Sequence, residues 1–291
     1  MFDRPTPLYP RRLSPGSAGL LGDTPARDYV RKLQLFNSFA APELRAAIAS
    51  LDLRAGMRVV DAGCGTGAAL PWLLQAVERG GLVVGFDLAA AHAQAAHACT
   101  AAHATVLQAD LMKPPLARAG FDLIWSVNTI NHLRDPLQGV RTLATLLRPG
   151  GRIAFGQSSF VPDMYFAWNA RLERMTNEAV RQYYLERYGL DERALANVRG
   201  LLGLLRRAQL RNVSVRTCMI ERVSPLASED EAYILEAIFR GTWGERLRPY
   251  LCGEDFAELG RLCDPLHVQF ALRRPDFHYL QSFTLAVGEI A

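Results

Sequence analysis

Seven consecutive residues carry the most specific chemistry in this chain, Asp61-Ala62-Gly63-Cys64-Gly65-Thr66-Gly67. Glycines at alternate positions let the backbone turn sharply and let a ligand approach with no Cβ in the way. The apolar pair Val59-Val60 precedes the loop, and a helical pattern through Leu73, Leu74 and Val77 follows it. The loop therefore lies where a strand hands over to a helix, at the carboxyl edge where open α/β sheets bind ligands. Asp61 sets the sign of that ligand. A carboxylate beside such a turn attracts a cationic group and repels a diphosphate. Asp87 closes the next apolar run about twenty residues on, where an acid accepts hydrogen bonds from paired ribose hydroxyls.

Two cofactor classes share this much. Gly63-x-Gly65-x-x-Ala68 also satisfies the fingerprint of a nicotinamide site. Such a cofactor would place its pyrophosphate on the turn, against Asp61. S-adenosylmethionine (SAM) has no phosphate and carries an ammonium and a sulfonium, so Asp61 favours it. Further along, Gln108-Ala109-Asp110-Leu111 offers an acid for an adenine amino group and an apolar contact for the ring. Phe121 to Asn128 reads as a strand ending beside the expected sulfonium. Leu147-Arg148-Pro149-Gly150-Gly151-Arg152 is a helix stop and a turn into a fifth strand.

Together these residues resemble the class I SAM-dependent methyltransferase superfamily, its small-molecule branch in particular, over roughly residues 30 to 157. The resemblance implies that Asp61, Gly63, Gly65 and Gly67, with Ala62 and Cys64 between them, line the methionine end of the cofactor. It implies a ribose contact from Asp87, adenine contacts from Asp110 and Leu111 and a sulfonium-side contact from the backbone near Asn128, with Leu88 and Leu133 as further cofactor-binding residues. S-adenosylhomocysteine would be the product. The chain departs from the pattern of nucleic-acid N-methyltransferases, because Asn128-Thr129-Ile130-Asn131 stands where [ND]-P-P-[FY] is expected. A reading that keeps this fold but exchanges methyl transfer for a cyclisation or rearrangement stays open.

A phenol, amine or enol acceptor needs a base as it becomes nucleophilic. His132, just after the fourth strand, is the best-placed candidate, with an ordinary pKa suited to neutral pH. His267 and His278 are alternatives near the end of the chain. His92, His97 and His103 are read as lacking carboxylate companions, and no residue is assigned to a metal. Between Val161 and Tyr188 an aromatic-rich stretch reads as one long helix, with Trp168, Leu172, Met175, Ala179 and Tyr183 on one face. Tyr165, Trp168, Tyr183 and His278 are the expected acceptor contacts, and an apolar or aromatic acceptor from natural-product biosynthesis fits them. Tyr29 and Phe36, on a helix before the first strand, are expected to close over the cofactor.

The elements that must position these groups follow from hydrophobic periodicity. Strands at Met57–Asp61, Leu82–Phe86, Thr105–Gln108, Phe121–Val127 and from Arg152 alternate with helices, which specifies a mostly parallel sheet covered on both faces. Strands at Val213–Val223 and Tyr279–Val287 complete a Rossmann-like α/β sheet of seven strands, the last antiparallel. Residues 27–291 form one domain on this reading, with helical insertions after strand five (about 158–193) and between strands six and seven (about 225–276). Residues 1–26 read as a flexible leader.

Bulk composition narrows the class. The 291 residues are 49% hydrophobic and 21% charged, as in a globular enzyme. Net charge is +4, but Lys32 and Lys113 are the only lysines and the arginine pairs are scattered, which argues against a nucleic-acid stripe. No apolar run approaches the ~20 residues that span a bilayer. The five cysteines form no C-x-x-C pair and fit free thiols in a reducing, cytoplasmic setting. A homodimer is compatible with all of this.

Overall fold

The structure is a computed structural model and describes residues 26, 28–100, 103–158, 164–166, 168–189 and 197–291, with side chains left out at 164–166 and 197–199. Nearly all of the expected leader lies outside the described residues. The strands are β1 (Arg58–Ala62), β2 (Leu82–Asp87), β3 (Thr105–Gln108), β4 (Phe121–Val127), β5 (Leu147–Ser158), β6 (Met164–Phe166), β7 (Arg211–Val223) and β8 (His278–Glu289). They form a sheet in the order β3-β2-β1-β4-β5-β8, with β7 and β6 both paired to β8. Pairing from β3 through to β5 is parallel, and β8 runs antiparallel to β5, β6 and β7. Val59, Val60, Leu123, Ile124, Ile153 and Ala154 are fully buried, which is why these strands read as continuous apolar runs rather than alternations.

Helices α1 (Val30–Phe39) and α2 (Ala41–Ala49) precede β1. Pro42 opens α2 in its first turn, where a missing N–H costs nothing, so it separates two helices instead of breaking one. Then α3 (Leu70–Val77), α4 (Ala90–Thr100) and α5 (Pro136–Ala144) connect the parallel strands. The Asp135 carboxylate accepts the Gln138 N–H at 2.9 Å and caps α5. Beyond β5 come α6 (Ala170–Tyr188), α7 (Asn197–Arg207), α8 (Ser228–Ala232) and α9 (Gly253–Cys263). Among the described residues, no helix is long and apolar enough to cross a membrane.

The seven expected strands are present, and β6 is an addition. The sequence reads Met164–Phe166 as helical, whereas here it pairs with Tyr279–Gln281, where β8 runs on beyond the end of β5. The helix starts later because Asn169 caps it, accepting the N–H groups of Arg171 (2.9 Å) and Leu172 (3.3 Å). Trp168 is therefore not on the helix. The buried face of α6 runs through Leu172, Thr176, Ala179, Val180 and Tyr184.

Between β7 and β8, α8 continues as a π-helical stretch, Tyr233–Thr242. Its wider turn ends where the Thr242 hydroxyl donates to Ala237 O at 2.9 Å and Trp243 N–H donates to Ile238 O at 2.9 Å. Tyr233, Ile234, Ala237, Ile238 and Phe239 all turn inward. Phe39 stacks on Tyr233, with ring centroids 4.2 Å apart.

Arg222 joins this insertion to the N-terminal helices. Its guanidinium bonds Glu43 at 2.8 and 3.0 Å, Asp230 at 2.9 Å and the Phe39 carbonyl at 2.5 Å, and lies 4.8 Å over the Phe39 ring. Its side chain is only 13% exposed, so removing it leaves two mostly buried carboxylates without their cation. Arg222→Ala should cost about 3 kcal/mol of stability. Urea unfolding is expected to show a lower midpoint at unchanged slope.

Candidate active site

At the carboxyl edge of β1, Asp61 is buried at 3% exposure. Burial first, then the negative charge of Asp87, pushes its carboxyl up to about 8, and among the described residues no hydrogen bond offsets that cost. The glycine loop then folds back on β2, with the N–H groups of Gly63 and Cys64 both donating to Phe86 O at 2.8 and 2.9 Å. Gly63 and Gly67 have φ of +76° and +80°. A Cβ on Gly63 would lie 2.3 Å from the Thr129 hydroxyl oxygen, and one on Gly67 would lie 2.8 Å from the Ala96 backbone. Those two glycines are thus required by the protein's own packing. Gly65 faces outward, where the nearest atom is Leu33 Cδ1 of α1 at 3.2 Å. Cys64 is buried in the core and its thiol pKa is raised by burial, so only its backbone lies along the loop.

Asp87 organises the end of β2. Its Oδ2 accepts Gly65 N–H at 2.9 Å, and its Oδ1 accepts Ala89 N–H at 2.9 Å. His92 Nδ1 lies 3.1 Å from the same Oδ1, while His92 Nε2 accepts the Tyr29 N–H at 3.0 Å. An imidazole whose Nε2 accepts must carry its proton on Nδ1, so His92 donates to Asp87. This corrects the reading that His92 lacks a carboxylate companion. The two residues straddle the start of α4, and their spacing along the chain hides the contact. Tyr29 is thereby tied to the loop through its backbone, while its ring is 40% exposed.

The end of β4 is fastened to both neighbours. The Ser126 hydroxyl donates to Ala62 O at 2.6 Å, and that of Thr129 to Gly63 O at 3.3 Å. Asn128 adopts φ +53°, and its Oδ1 accepts Gln157 Nε2 (3.0 Å), Ser158 N–H (2.8 Å) and the Ser158 hydroxyl (2.9 Å). His132 ends a short 3₁₀ turn, Ile130–His132, and is half-buried beside Asn131. Among the described residues no donor reaches the buried Oδ1 of Asn131 or Oε1 of Gln157. Gln157, Ser158, Thr129 and Leu33 carried no sequence signal, because none belongs to a spaced motif.

Leu111 and Leu133 meet over α5. A Cβ on Gly139 would lie 2.3 Å from Leu133 Cδ1 and 3.4 Å from Leu111 Cδ2. The exposed Asp110 accepts Met112 N–H at 2.8 Å, and Leu88 accepts Gln108 Nε2 at 3.2 Å through its carbonyl.

The residues expected at the acceptor are dispersed. Trp168 stacks with Phe239 at 6.0 Å and lies 5.5 Å from Trp243. Tyr183 sits at the far end of α6 against Tyr184 and Tyr250, with Arg246 5.4 Å over its ring. Tyr165 lies on β6 opposite Leu280, and its side chain is outside the described residues. His278 faces Glu221 of the edge strand, Nε2 to Oε1 at 2.8 Å. Its neighbour Tyr279 is the buried group, donating to Gln281 Oε1 at 2.8 Å beside the Tyr233 hydroxyl. Phe36 is buried edge-on to Tyr233 at 6.0 Å. Among the described residues no cluster of His, Cys, Asp and Glu is arranged to hold a metal.

Residues 60–155, from the middle of β1 into β5, match the model of the methyltransferase domain family. The match identifies a methyltransferase domain over residues 60–155. It is 33% identical over 117 residues to 27-O-demethylrifamycin SV methyltransferase of Amycolatopsis mediterranei, covering 38% of this chain and 42% of that protein. It is 33% identical over 173 residues to the malonyl-[acyl-carrier protein] O-methyltransferase of Enterobacter lignolyticus, covering 59% and 65% respectively. The chain thus spans less than two thirds of the length of these relatives. In fold it is similar to the YcgJ protein of Bacillus subtilis, with TM-score 0.53 and 14% identity over 87% of this chain and 98% of that one.

The residues of this methyltransferase site fit its cofactor, SAM. An uncompensated buried carboxylate at the loop suits an ammonium, and a loop that presents no phosphate-binding cation suits a ligand without phosphate. A cationic ligand restores Asp61 to its charged form, so binding should release a proton. Between about pH 6 and 8 the SAM dissociation constant should fall by up to about tenfold per pH unit. The free protein should lose stability over the same range, because a carboxyl raised to about 8 stabilises the fold only while protonated. Asp61→Asn is expected to raise the melting temperature of the free protein at pH 8 and to flatten the pH dependence of binding, read by calorimetry.

Proposed function

We propose that this chain transfers the methyl group of SAM to an oxygen of a small, apolar or aromatic acceptor, as in natural-product biosynthesis. The observation that carries this reading is the aromatic cluster of Trp168, Phe239, Trp243 and Phe270, drawn from both insertions. The relatives support oxygen as the accepting atom, since they include a 27-O-demethylrifamycin SV methyltransferase, a malonyl-[acyl-carrier protein] O-methyltransferase and the tocopherol O-methyltransferase of Arabidopsis thaliana.

SAM supplies a methyl carbon already activated by positive sulfur, so the protein's task is alignment and exclusion of water. On this reading Asp61 holds the ammonium and Asp87 the ribose hydroxyls. The Nδ1–H of His92 keeps the Asp87 carboxylate in place. Leu111 and Leu133 flank the adenine, with Asp110 at its amino group. Asn128 fixes the ends of β4 and β5 to each other, and with them the side of the site where the acceptor enters. The open acceptor atoms of Asn131 and Gln157 take up donors on the incoming ligand. His132 removes the acceptor's proton at its imidazole nitrogen. The insertions at about 158–193 and 225–276 act as a lid on the single domain 27–291.

Asp87→Ala is expected to weaken SAM binding by about 1–3 kcal/mol. Titration calorimetry giving wild-type affinity would reject the ribose role. His132→Ala should lower kcat about a hundredfold while leaving SAM affinity unchanged. Its pH–rate profile should differ from that of wild type, and a profile superimposable on wild type would remove the base assignment.

A further inference from the structure

The loop joining α9 to β8 carries the two most exposed aliphatic side chains among the described residues. Leu266 is 93% exposed and Val268 92%, while the next large hydrophobic residue, Val223, reaches 56%. Single exposed aliphatics are ordinary, but two almost wholly exposed ones flanking His267 on one tip are a feature of surfaces that meet an apolar partner.

The tip is built rather than loose. Asp264 Oδ1 accepts Leu266 N–H at 2.9 Å, and Asp264 O accepts His267 N–H at 3.0 Å. His267 Nδ1 accepts Gln269 N–H at 3.1 Å, and His267 O accepts Phe270 N–H at 3.0 Å. The N–H groups of Leu266, His267, Gln269 and Phe270 are thus satisfied inside the loop. That matters for the nature of the partner. Lipid offers no hydrogen bonds, so each N–H satisfied within the loop lowers the cost of placing the tip there. The only acid of the tip, Asp264, is spent on this internal bonding. Arg261 and Arg273 stand on either side in the chain, both exposed, and Arg273 lies 5.4 Å over the Phe270 ring.

Behind the apex Phe270 is buried, edge-on to Phe239 at 6.4 Å, and Phe239 stacks with Trp168 and Trp243. The tip therefore rests directly on the aromatic cluster read above as the acceptor wall.

We propose that Leu266 and Val268 insert into the interfacial layer of an anionic lipid bilayer, with Arg261 and Arg273 facing its headgroups. An apolar acceptor would then pass from the bilayer along Phe270 to the site. This purpose rests on the apolar-acceptor reading, but the test requires no acceptor, so the two fail separately.

The full chain is sedimented with vesicles of phosphatidylcholine alone and of phosphatidylcholine with phosphatidylglycerol. Two short aliphatic anchors give weak, reversible binding, so partition is expected at millimolar lipid, stronger with phosphatidylglycerol. The neutral double variant Leu266→Ser/Val268→Ser should bind about tenfold less on both vesicles, with melting temperature and SAM affinity unchanged. In the variant Leu266→Trp, added vesicles should shift the extra indole emission to the blue relative to wild type. Absence of wild-type partition, equal binding by the double variant, or an unshifted indole overturns the proposal. A wild-type dimer that the double variant converts to monomer in light scattering also overturns it, assigning the tip to a second copy.

Discussion

A buried carboxylate with nothing to balance it is the constraint on which the site depends. Asp61 lies at the end of a strand paired on both sides and is 3% exposed, and Asp87 adds a second negative charge nearby. Folding alone gains nothing from such a group. Its cost is recovered only when a cation arrives, and that turns an unfavourable burial into selectivity for a positively charged ligand. Binding and stability are therefore coupled at one atom pair, with the proton as the intermediary.

The glycine loop holds Asp61 in that position for reasons that are mostly internal. Thr129 and Ala96 crowd Gly63 and Gly67, so β4 and α4 press the loop into its left-handed turns whether or not a ligand is present. The hydrogen bonds of Gly63 and Cys64 to Phe86, and of Gly65 to Asp87, fasten it to β2. Such a preorganised cradle loses little freedom on binding. The N-terminal helix joins the same network through Tyr29 N–H and His92, with Leu33 over Gly65. Glycine loop, Asp87 and the start of the N-terminal helix thus form one hydrogen-bonded unit.

In the insertions the governing interactions are apolar. Phe239, on the π-helical stretch, meets Trp168 and Trp243. Arg222 anchors that insertion to α2 and to the Phe39 carbonyl. The two insertions are thereby attached to the sheet by different means, one through charge and one through the β6–β8 pairing.

The sequence by itself determined the α/β alternation and placed the glycine loop, Asp61 and Asp87 at the carboxyl ends of β1 and β2. Parallel strands buried on both faces leave continuous apolar runs, and turns with φ > 0 demand glycine, so both are written locally. It also located Leu111 and Leu133, though not their meeting over Gly139. Tertiary structure decided what depends on partners distant in the chain. His92 acquires Asp87 and Tyr29, Met164–Phe166 becomes a strand because β8 offers an open edge, and His278 turns to Glu221 while Tyr279 goes inside. Propensity and periodicity describe a residue's own element, whereas these outcomes follow from which surface another element leaves unfilled.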